Sequence, residues 1–470
     1  MLQPGITYGA NVTLTVFPVN VNFGIEIWLG DSVKVTTSDR VSFVSSGFGQ
    51  TIPLTIRMPL ISGMYRVHVD IYLGNTMVGR YEDTPVGVGV ESSGGSFRIT
   101  IDHTKIESSL TNRPIAIRLG TVSGITEADT REVLYALGES KYKFKITLSD
   151  GVTQCYTEIV KWDSANGEAV LYIKVPSISS VEDTVLYLFY DNLMPDNTSY
   201  IGVIGSNPAM DVWDNNYTAV YHLSEQGNGA SGEFKDSTRN HNNGTGKGSG
   251  GAPTRVNGLG GFAQQFNGSN QLIAIPDSNG FSRKTTGYLT MSIWINPTTL
   301  DIGTGEYVHI WAKGNWGSVE WNSQFYGTRN SGGNYPGKLT HYAYNLGGGL
   351  GDGASLWSPG KAFMAGTWNL GTWVMIPSGM TSYLNAGPWE GWLGQYGAYD
   401  TQPIGWSYAN NQQNGNSPVA IGAGSTDGSV SGFYKGNFAE IRFSNVARST
   451  SWINVDYYDG IDLLVSLEKV

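Results

Sequence analysis

The sequence predicts an all-β protein built from three successive sandwich-like domains. Short apolar and aromatic runs recur along the chain, and each is bounded by Gly, Asn, Pro or Asp, which is typical of strands in two-sheet domains. Between Val220 and Val446 no segment has helical spacing. The 63 glycines, 26 tyrosines and 14 tryptophans, with 14% charged residues, fit a loop-rich β protein. A length of 470 residues leaves room for about three domains of ordinary size.

Residues 1–91 form the first predicted domain, an immunoglobulin-like sandwich of about seven strands. Tyr65, Val67, Val69 and Ile71 are apolar residues at every second position, so we expect one face of this strand to be buried and the other to face water. The stretch 63–79 also resembles small sandwich domains of phage structural proteins. The predicted strands are Asn11–Phe17, Gly24–Leu29, Arg40–Val44, Ile52–Arg57, Met64–Leu73, Thr76–Arg80 and Val86–Val90.

A linker and a second β-sandwich, together residues 92–208, are predicted next. Ser92 to Ser96 has linker composition and would let the flanking domains reorient, so the first domain is expected to have a separate task such as docking. The following strands and the junction Val212-Trp213-Asp214 resemble a family of unknown function that precedes laminin-G-like domains in prokaryotic secreted proteins. The strand markers are Arg113–Leu119, Phe144–Gly151, Thr157–Trp162, Ala169–Pro176 and Leu186–Asn192.

Five motifs follow one another in the third predicted domain, residues 209–470. They are Tyr221–Glu225, Asp236–Gly244, Phe266–Gly268, Leu289–Ile295 and Gly436–Asn445. Together they resemble the laminin-G-like domain of bacterial, archaeal and phage surface proteins, which implies a concanavalin-A-like jelly roll. This fold hosts lectins, glycosidases and structural modules, so the resemblance specifies the fold more than the ligand. It also implies a final helix and a last strand that packs back on the middle domain.

An aromatic-rich insert stands out in the third domain, because ten of the fourteen tryptophans lie between Trp294 and Trp406. Aromatic rings stack on the C–H faces of sugars, while amides and carboxylates bind hydroxyls, so the insert predicts a glycan site. The alternative, which we favour on composition, is that these rings fill a core or a subunit interface. The glycan-binding candidates are Trp316, Trp321, Asn322, Asn334, Asp352, Trp357, Trp389, Trp392 and Trp406.

A calcium ion is the one cofactor that the sequence suggests. The turn at 236–243 is rich in hard oxygen donors, which Ca²⁺ requires, and related laminin-G-like domains often bind calcium near such a turn. Arg239 and Ala439 depart from the family's pattern. The alternative is a turn that hydrogen-bonds its own backbone. The candidate ligands are Asp236, Asn240, Asn242, Asn243 and Glu440.

The composition argues against several other classes of function. A formal net charge of −10 does not suit a nucleic-acid-binding surface, which is basic. Cys155 is the single cysteine, so no intrachain disulfide can form, and we expect it to be a small buried residue. The six histidines have no zinc-ligand spacing. No stretch is apolar for long enough to insert in a membrane.

Catalytic motifs are missing from the sequence as well. Concanavalin-A-like glycosidases carry paired carboxylates on one strand, as Glu-x-Asp-x-Glu, and no such run occurs here. Glu320 and Glu390 each stand alone among aromatic residues. Either could be a catalytic group or a solvated residue at the rim of a site. Gly347–Gly351 lacks the lysine of a phosphate-binding loop. We therefore expect no enzymatic activity, and a polysaccharide hydrolase is the least favoured alternative.

These features lead to a hypothesis about function. The N-terminus resembles no secretory signal, which suits a protein assembled on a virion in the host cytoplasm. We expect a non-enzymatic virion surface protein of a phage or prokaryotic virus: a capsid decoration protein, head fibre or tail fibre. Its partners would be major capsid or tail proteins and a cell-surface glycan, and it would form a homo-oligomer such as a trimer. The alternative is a secreted or cell-surface adhesin that binds carbohydrate.

Overall fold

The computed structural model describes most of the chain. The described ranges are 2–3, 5–60, 63–88, 94–247, 251–259, 261–300, 307–314, 319–326, 339–343, 352–356, 364–376, 379–385, 392–393, 415–426 and 432–470. Sheets dominate this part of the chain, and they pair face to face over apolar cores. The predicted all-β fold class is therefore confirmed.

The first domain is a sandwich of seven strands, which is the predicted number, although the short strand Thr36–Thr37 was not predicted and two of the predicted strands are one. One sheet pairs β1 with β5, and the other has the order β3-β2-β6-β7. Strand β4 also pairs with β2, along the first half of β2 that β3 leaves unpaired. Alternate residues of β5 are buried, which gives the inner face one apolar side chain in two. The strands are β1 (Thr7–Leu14), β2 (Asn22–Leu29), β3 (Thr36–Thr37), β4 (Val41–Val44), β5 (Gln50–Arg57), β6 (Gly63–Leu73) and β7 (Thr76–Val88).

Strand β7 corrects one detail of the sequence prediction. It continues from Thr76 to Val88, whereas the sequence analysis divides it into two strands around Pro85. The strand lies at the sheet edge, where a proline leaves no ladder bond unmade, and the pairing register shifts beside it, between Tyr65 and Val67 of β6. A bulge therefore carries the proline without ending the strand.

The middle domain packs two four-stranded sheets against each other. Their orders are β10-β13-β8-β30 and β14-β11-β12-β9, so the last strand of the chain completes the first of them. The elements are β8 (Gly95–Ile101), β9 (Leu110–Leu119), α1 (Arg131–Leu137), β10 (Phe144–Leu148), β11 (Thr157–Asp163), β12 (Glu168–Ile178), β13 (Thr184–Tyr190), β14 (Ile201–Val203), α2 (Asn207–Met210) and, from the C-terminus, β30 (Val465–Lys469).

Helix α1 was not predicted from the sequence. It buries Val133, Leu134 and Leu137, which occupy one helical face, and it ends at Gly138, whose positive φ of 54° suits glycine. With only seven residues, the helix is too short for a clear 3.6-residue periodicity. Cys155 is buried in the same core, as expected.

The third domain is a jelly roll of two large sheets. A seven-stranded sheet has the order β17-β18-β29-β20-β25-β26 with β15 also on β29, and an eight-stranded sheet has the order β16-β19-β28-β21-β22-β23-β24-β27. The elements are β15 (Tyr217–Tyr221), β16 (Thr245–Lys247), β17 (Thr254–Gly258), β18 (Gly261–Asn267), β19 (Leu272–Ile275), α3 (Arg283–Thr286), β20 (Leu289–Pro297), β21 (Tyr307–Lys313), β22 (Trp321–Tyr326), β23 (Leu339–Ala343), β24 (Asp352–Leu356), β25 (Asn369–Ile376), β26 (Gly379–Leu384), β27 (Trp392–Leu393), β28 (Val419–Ile421), β29 (Lys435–Ser444) and α4 (Thr450–Gly460).

The core between these two sheets is aromatic. Trp311 contacts Trp321, Trp373 and Phe443 with ring centroids 5.4 to 6.2 Å apart, and all four side chains are buried. Much of the tryptophan content of this domain is therefore core. The short helix α3 lies in a region where no helix was predicted.

The chain end fastens the jelly roll to the middle domain. Helix α4 is the final helix that the family resemblance implies, and it lies against β9. Strand β30 then pairs antiparallel with β8, so that Leu467 lies opposite Ile99. The expectation that the last strand packs on the middle domain is confirmed. Within the described residues, no helix combines the length and the apolar character that crossing a bilayer requires.

Candidate functional site

Trp321 is the first of the predicted glycan-binding residues that the structure places. Its side chain is 1% exposed, and its indole Nε1 donates to the Phe281 carbonyl oxygen at 2.9 Å. A ring enclosed in the core cannot stack on a sugar. Trp321 is thus a core residue, which corrects its assignment. Asn322, next to it on β22, is 6% exposed and likewise buried.

The other glycan-binding candidates fall around the last strands of the eight-stranded sheet. Asp352 begins β24, where it pairs with Ala343, and Trp392 begins β27, where it pairs with Ser355. These two strands lie at one edge of the sheet, and the side chains of Asp352 and Trp392 lie outside the described part. Trp316, Asn334, Trp357, Trp389 and Trp406 are outside the described residues, so the glycan site of the insert stays a prediction.

Glu320 belongs to a buried ion cluster. Its carboxylate is 3.0 Å from the Lys313 ammonium, which is fully buried and also bonds Asp277 and the carbonyl oxygens of Gly415 and Ser417 at 3.0 Å. Burial raises the pKa of Glu320, and the charge of Lys313 opposes this shift. Glu320 is therefore neither a solvated rim residue nor an accessible catalytic acid.

The predicted calcium turn uses its carboxylate internally. The Oδ1 atom of Asp236 accepts from the amides of Val220 at 3.0 Å and Thr238 at 2.9 Å. Its Oδ2 atom accepts from the Thr238 hydroxyl and the Asn242 amide, both at 2.9 Å. Asp236 is 1% exposed, and burial raises its pKa to about 6 although these bonds favour the charged form. Both oxygens are thus occupied by the turn itself.

The asparagines of this turn also bond backbone groups. The side-chain amides of Asn240 and Asn242 both donate to the Thr218 carbonyl oxygen, at 3.0 and 2.9 Å. Asn243 accepts from the Asp236 amide through Oδ1 at 2.9 Å. This arrangement matches the alternative of a turn that hydrogen-bonds its own backbone. It does not fit a calcium site, because Ca²⁺ is coordinated by several oxygen atoms that converge on the ion and are not already engaged.

Glu440, the fifth calcium candidate, belongs to a different cluster at the junction of the middle domain and the jelly roll. It occupies a bulge in β29, with φ of 39°, between residues Ala439 and Ile441 that pair with Trp294 and Ile293 of β20. A bulge re-aims the side chain of its extra residue. Here it turns the carboxylate of Glu440 toward the middle domain. We call this group the junction cluster: Arg113, Glu158, His222, Glu440, Arg442 and Asp456.

His222 lies at the centre of the junction cluster. Its Nε2 is 3.2 Å from Glu158 on β11, its Nδ1 bonds Glu440 on β29, and its ring stacks on Tyr172 with centroids 4.9 Å apart. Burial alone lowers the pKa of His222, but the charges of Glu440 and Glu158 outweigh it and raise the pKa to about 10. The side chain is therefore a buried imidazolium between two carboxylates from different domains.

Two arginines complete the junction cluster around Asp456 of α4. Arg113 donates to the Asp456 carboxylate at 2.5 Å, and Arg442 bonds the same oxygen. Arg442 also donates to the Tyr172 hydroxyl at 3.1 Å and to Glu440 at 3.3 Å. Each buried charge thus faces an opposite charge, which is the condition under which burial is tolerated.

Further contacts extend the same interface. Asp459 of α4 accepts from the Ala116 amide at 2.8 Å, and Arg118 donates to the Asp459 carbonyl oxygen at 2.6 Å. Burial raises the pKa of Asp459 to about 7, against the charges of Arg118 and Arg113. These bonds and the junction cluster hold the two domains in one relative position, and their groups are buried or nearly so: the most exposed side chains are those of Glu440 at 15% and Arg118 at 12%.

The first domain contacts the middle domain in a different way. The described contacts are polar and lie at the surface, with Arg131 3.3 Å from Asp31 and Arg66 donating to the Asn166 carbonyl oxygen at 3.2 Å. Exposed ion pairs of this kind contribute at most about 1 kcal/mol each. The first domain is therefore held far more weakly than the other two are held to each other.

An open groove of about 540 Å³ runs beside β30 on the middle domain. At one end of the groove, His103 bonds the Asp183 carboxylate through Nδ1 at 2.7 Å, and the Asp102 carboxylate accepts from the Thr104 amide. The side chains of Asp102, His103 and Asp183 therefore lie together. The sequence analysis missed this group because Asp183 is distant in sequence from the other two. The groove is lined by Arg98, Thr100, Thr126, Asp183, Ser466 and Glu468, among others.

Comparisons with known proteins add structural neighbours only. No protein-family model and no curated protein matches the chain. Domain 4 of AbnA, an extracellular arabinanase from Geobacillus stearothermophilus, solved with arabinotriose, is 18% identical over 51% of this chain and 97% of its own, with a TM-score of 0.30. The binding domain of botulinum neurotoxin DC, solved with rat synaptotagmin II, is 8% identical with a TM-score of 0.36, and the serotype D binding domain is 12% identical with 0.35. This chain spans 52% of each of these two neurotoxin chains. At these values the likeness carries no argument about function.

Proposed function

We propose that the protein is a non-enzymatic surface protein of a virion, from a phage or prokaryotic virus, whose first domain docks it and whose other two domains are displayed outward. The observation that carries the proposal is the contrast between the two interfaces. The middle domain and jelly roll are joined by the buried junction cluster and by β30, while the described contacts of the first domain are surface ion pairs such as Arg131 with Asp31.

This division of the chain suits a capsid decoration protein, head fibre or tail fibre. A rigid two-domain body keeps the jelly roll at a fixed distance from the anchor. A weakly held first domain can adjust to a symmetric docking surface formed by major capsid or tail proteins. Its displayed jelly roll would bind a host glycan or stabilise the shell, and a homotrimer would match the symmetry of many such positions.

The charged groups of the described jelly roll also favour a binding protein over a hydrolase. Glycoside hydrolysis needs two carboxylates facing each other across an open cleft. Glu320 and Asp277 instead bond the single buried ammonium of Lys313, and Glu440 and Glu158 enclose His222. Acidic pairs in this part of the chain are thus neutralised in the interior.

The test is binding of the purified full chain to virus-like shells that lack it, followed by sedimentation and electron microscopy. We expect regular occupancy of a symmetric site, with the first domain against the shell. Retention on glycans without any binding to shells would contradict the virion assignment and favour a secreted adhesin. Turnover of a polysaccharide by the full chain would contradict the non-enzymatic assignment.

A further inference from the structure

We infer that the groove beside β30 is a binding site for a neutral saccharide, distinct from the aromatic insert of the jelly roll. The inference goes beyond the proposed function and does not depend on a virion. It concerns the solvent-facing side of the sheet β10-β13-β8-β30. This side contains acidic, basic, hydroxyl and aromatic groups in register with one another.

The strand register places these groups in two rows. Glu468 of β30 lies opposite Arg98 of β8, and Arg98 lies opposite Tyr187 of β13, so the three side chains share one face. In the next row Ser466 lies opposite Thr100. The alternate residues of these strands point into the core, which fixes the face that the rows occupy.

The charged groups of the groove have bonding capacity left. Among the described residues, neither Arg98 nor Glu468 forms a side-chain hydrogen bond or an ion pair, although both are positioned by strands. Asp183 is held by His103, whose amide and ring nitrogen bond Oδ1 at 3.1 and 2.7 Å. These bonds lower the pKa of Asp183, so it stays ionised, and its Oδ2 accepts no described bond.

The segment that adjoins β30 in the groove is also fixed before any ligand binds. The Thr126 hydroxyl donates to the Leu467 carbonyl oxygen at 2.8 Å and accepts from the Leu467 amide at 3.1 Å. The segment containing Thr126 is therefore tied to β30. A preformed groove loses less conformational entropy on binding than a mobile one.

The chemistry of the groove favours a saccharide over other ligands. Carboxylates accept from sugar hydroxyls, and a guanidinium donates to them. Tyr187 does not line the groove but lies beside it, opposite Arg98, and an aromatic ring in such a position packs on the C–H face of a pyranose. Asp183 and Glu468 would repel a phosphate or another polyanion. Charges at both ends of the groove disfavour an apolar ligand. A neutral polyol ring is the class that satisfies all of these groups.

The test is affinity electrophoresis of the full chain in native gels that contain a neutral glucan, mannan or galactan, with chondroitin sulfate as the anionic probe. We expect retardation by at least one neutral polysaccharide and none by chondroitin sulfate. Arg98→Ala and Glu468→Gln should each weaken this binding at least tenfold. We expect little change in melting temperature, because the two exposed side chains lose only weak electrostatic attractions, between each other and from Arg98 to Asp183.

Matched controls separate the groove from the rest of the surface. Glu182→Gln makes the same charge change next to Asp183, and Tyr81→Ala removes a 62% exposed ring on the first domain. Both should bind as the wild type does. No retardation by any neutral polysaccharide would overturn the inference. Retardation that survives in both groove variants but is lost in Trp357→Ala or Trp389→Ala would overturn it too, since the site would then be in the jelly roll. Shell binding is a separate readout, so the two proposals fail independently.

Discussion

Replacing His222 by glutamine tests whether the junction cluster holds the middle domain and jelly roll together. In the wild type the imidazolium lies between Glu158 and Glu440, with 3% of the residue exposed. The substitution removes the positive charge, which leaves Glu158 without its cation and Glu440 with Arg442 alone. We expect the free energy of unfolding to fall by about 3–5 kcal/mol at pH 7, the range for breaking a buried ion pair.

The pKa of His222 gives a second value for the same quantity. A shift from 6.5 to about 10 corresponds to about 5 kcal/mol of preference for the charged form in the folded state. Because the folded pKa lies above the unfolded one, this contribution is complete below pH 6.5 and is lost as the pH rises through 10. The stability difference between wild type and His222→Gln should therefore shrink steadily from pH 7 to pH 10.

Urea unfolding followed by tryptophan fluorescence measures this difference. Trp213 is a suitable reporter because its indole donates to Glu158 at 2.6 Å. His103→Gln is the matched control: its ion pair with Asp183 is exposed, and we expect a loss below about 1 kcal/mol. Equal losses in the two variants at pH 7, or a His222→Gln loss that does not vary with pH, would refute the reasoning.

Three further predictions follow from the same contacts. The pKa of Asp459 is about 7 in the folded protein against 3.8 in the unfolded chain, so stability falls, on the order of 4 kcal/mol, as the pH rises between these two values. Asp459→Asn should flatten the fall in unfolding free energy between pH 4 and pH 7, and an unchanged slope would contradict this. Trp321→Ala should destabilise the protein by about 3–5 kcal/mol, because it leaves a cavity in the core, and the folded variant should be retarded by saccharide as the wild type is. A loss of retardation without destabilisation would show that Trp321 binds saccharide after all. Deletion of residues 463–470 removes β30 and exposes the edge of β8, so differential scanning calorimetry should show a lower melting temperature for the middle domain, and an unchanged thermogram would contradict the role of β30.

The all-β fold could be predicted from the sequence because its signals are local. Alternation such as Val67, Val69 and Ile71 marks the apolar face of a strand, and turn residues mark the ends. The expectation that the other face of this strand is open to water is wrong, because His68 and Asp70 are buried as well, at 2% and 0% exposed. Helix α1 escaped prediction because seven residues give too few apolar positions to establish a period. Strand β7 was divided because Pro85 is tolerated there only through the edge position and the bulge, and neither is visible in a single sequence.

The sites were harder to predict because they depend on contacts distant in the chain. Trp321 has the composition of a sugar-binding residue, and only the packing of two sheets shows that it is core. Glu440 was grouped with the turn of Asp236, whereas a bulge turns it toward His222 and the middle domain. The groove joins strands that are far apart in the chain, β8 and β30, so no local motif marks it.

The central claim is that the middle domain and jelly roll form one rigid body while the first domain is held separately. Spin labels on introduced cysteines can test this claim without replacing the native Cys155. Burial raises the pKa of the Cys155 thiol to about 12, so it does not react with the label. Labels would replace Val181 of the middle domain, Tyr288 of the jelly roll and Phe48 of the first domain, which are 81%, 43% and 79% exposed.

Double electron–electron resonance then gives the distance distribution for each labelled pair. We predict one narrow distance distribution between labels in Val181→Cys and Tyr288→Cys. It should not change in 1 M salt, because the junction cluster is buried. We predict a broader one for Phe48→Cys with Val181→Cys, which widens in 1 M salt as the surface ion pairs are screened. A broad or salt-sensitive distribution between Val181 and Tyr288 would contradict the rigid body and, with it, the display function built on it.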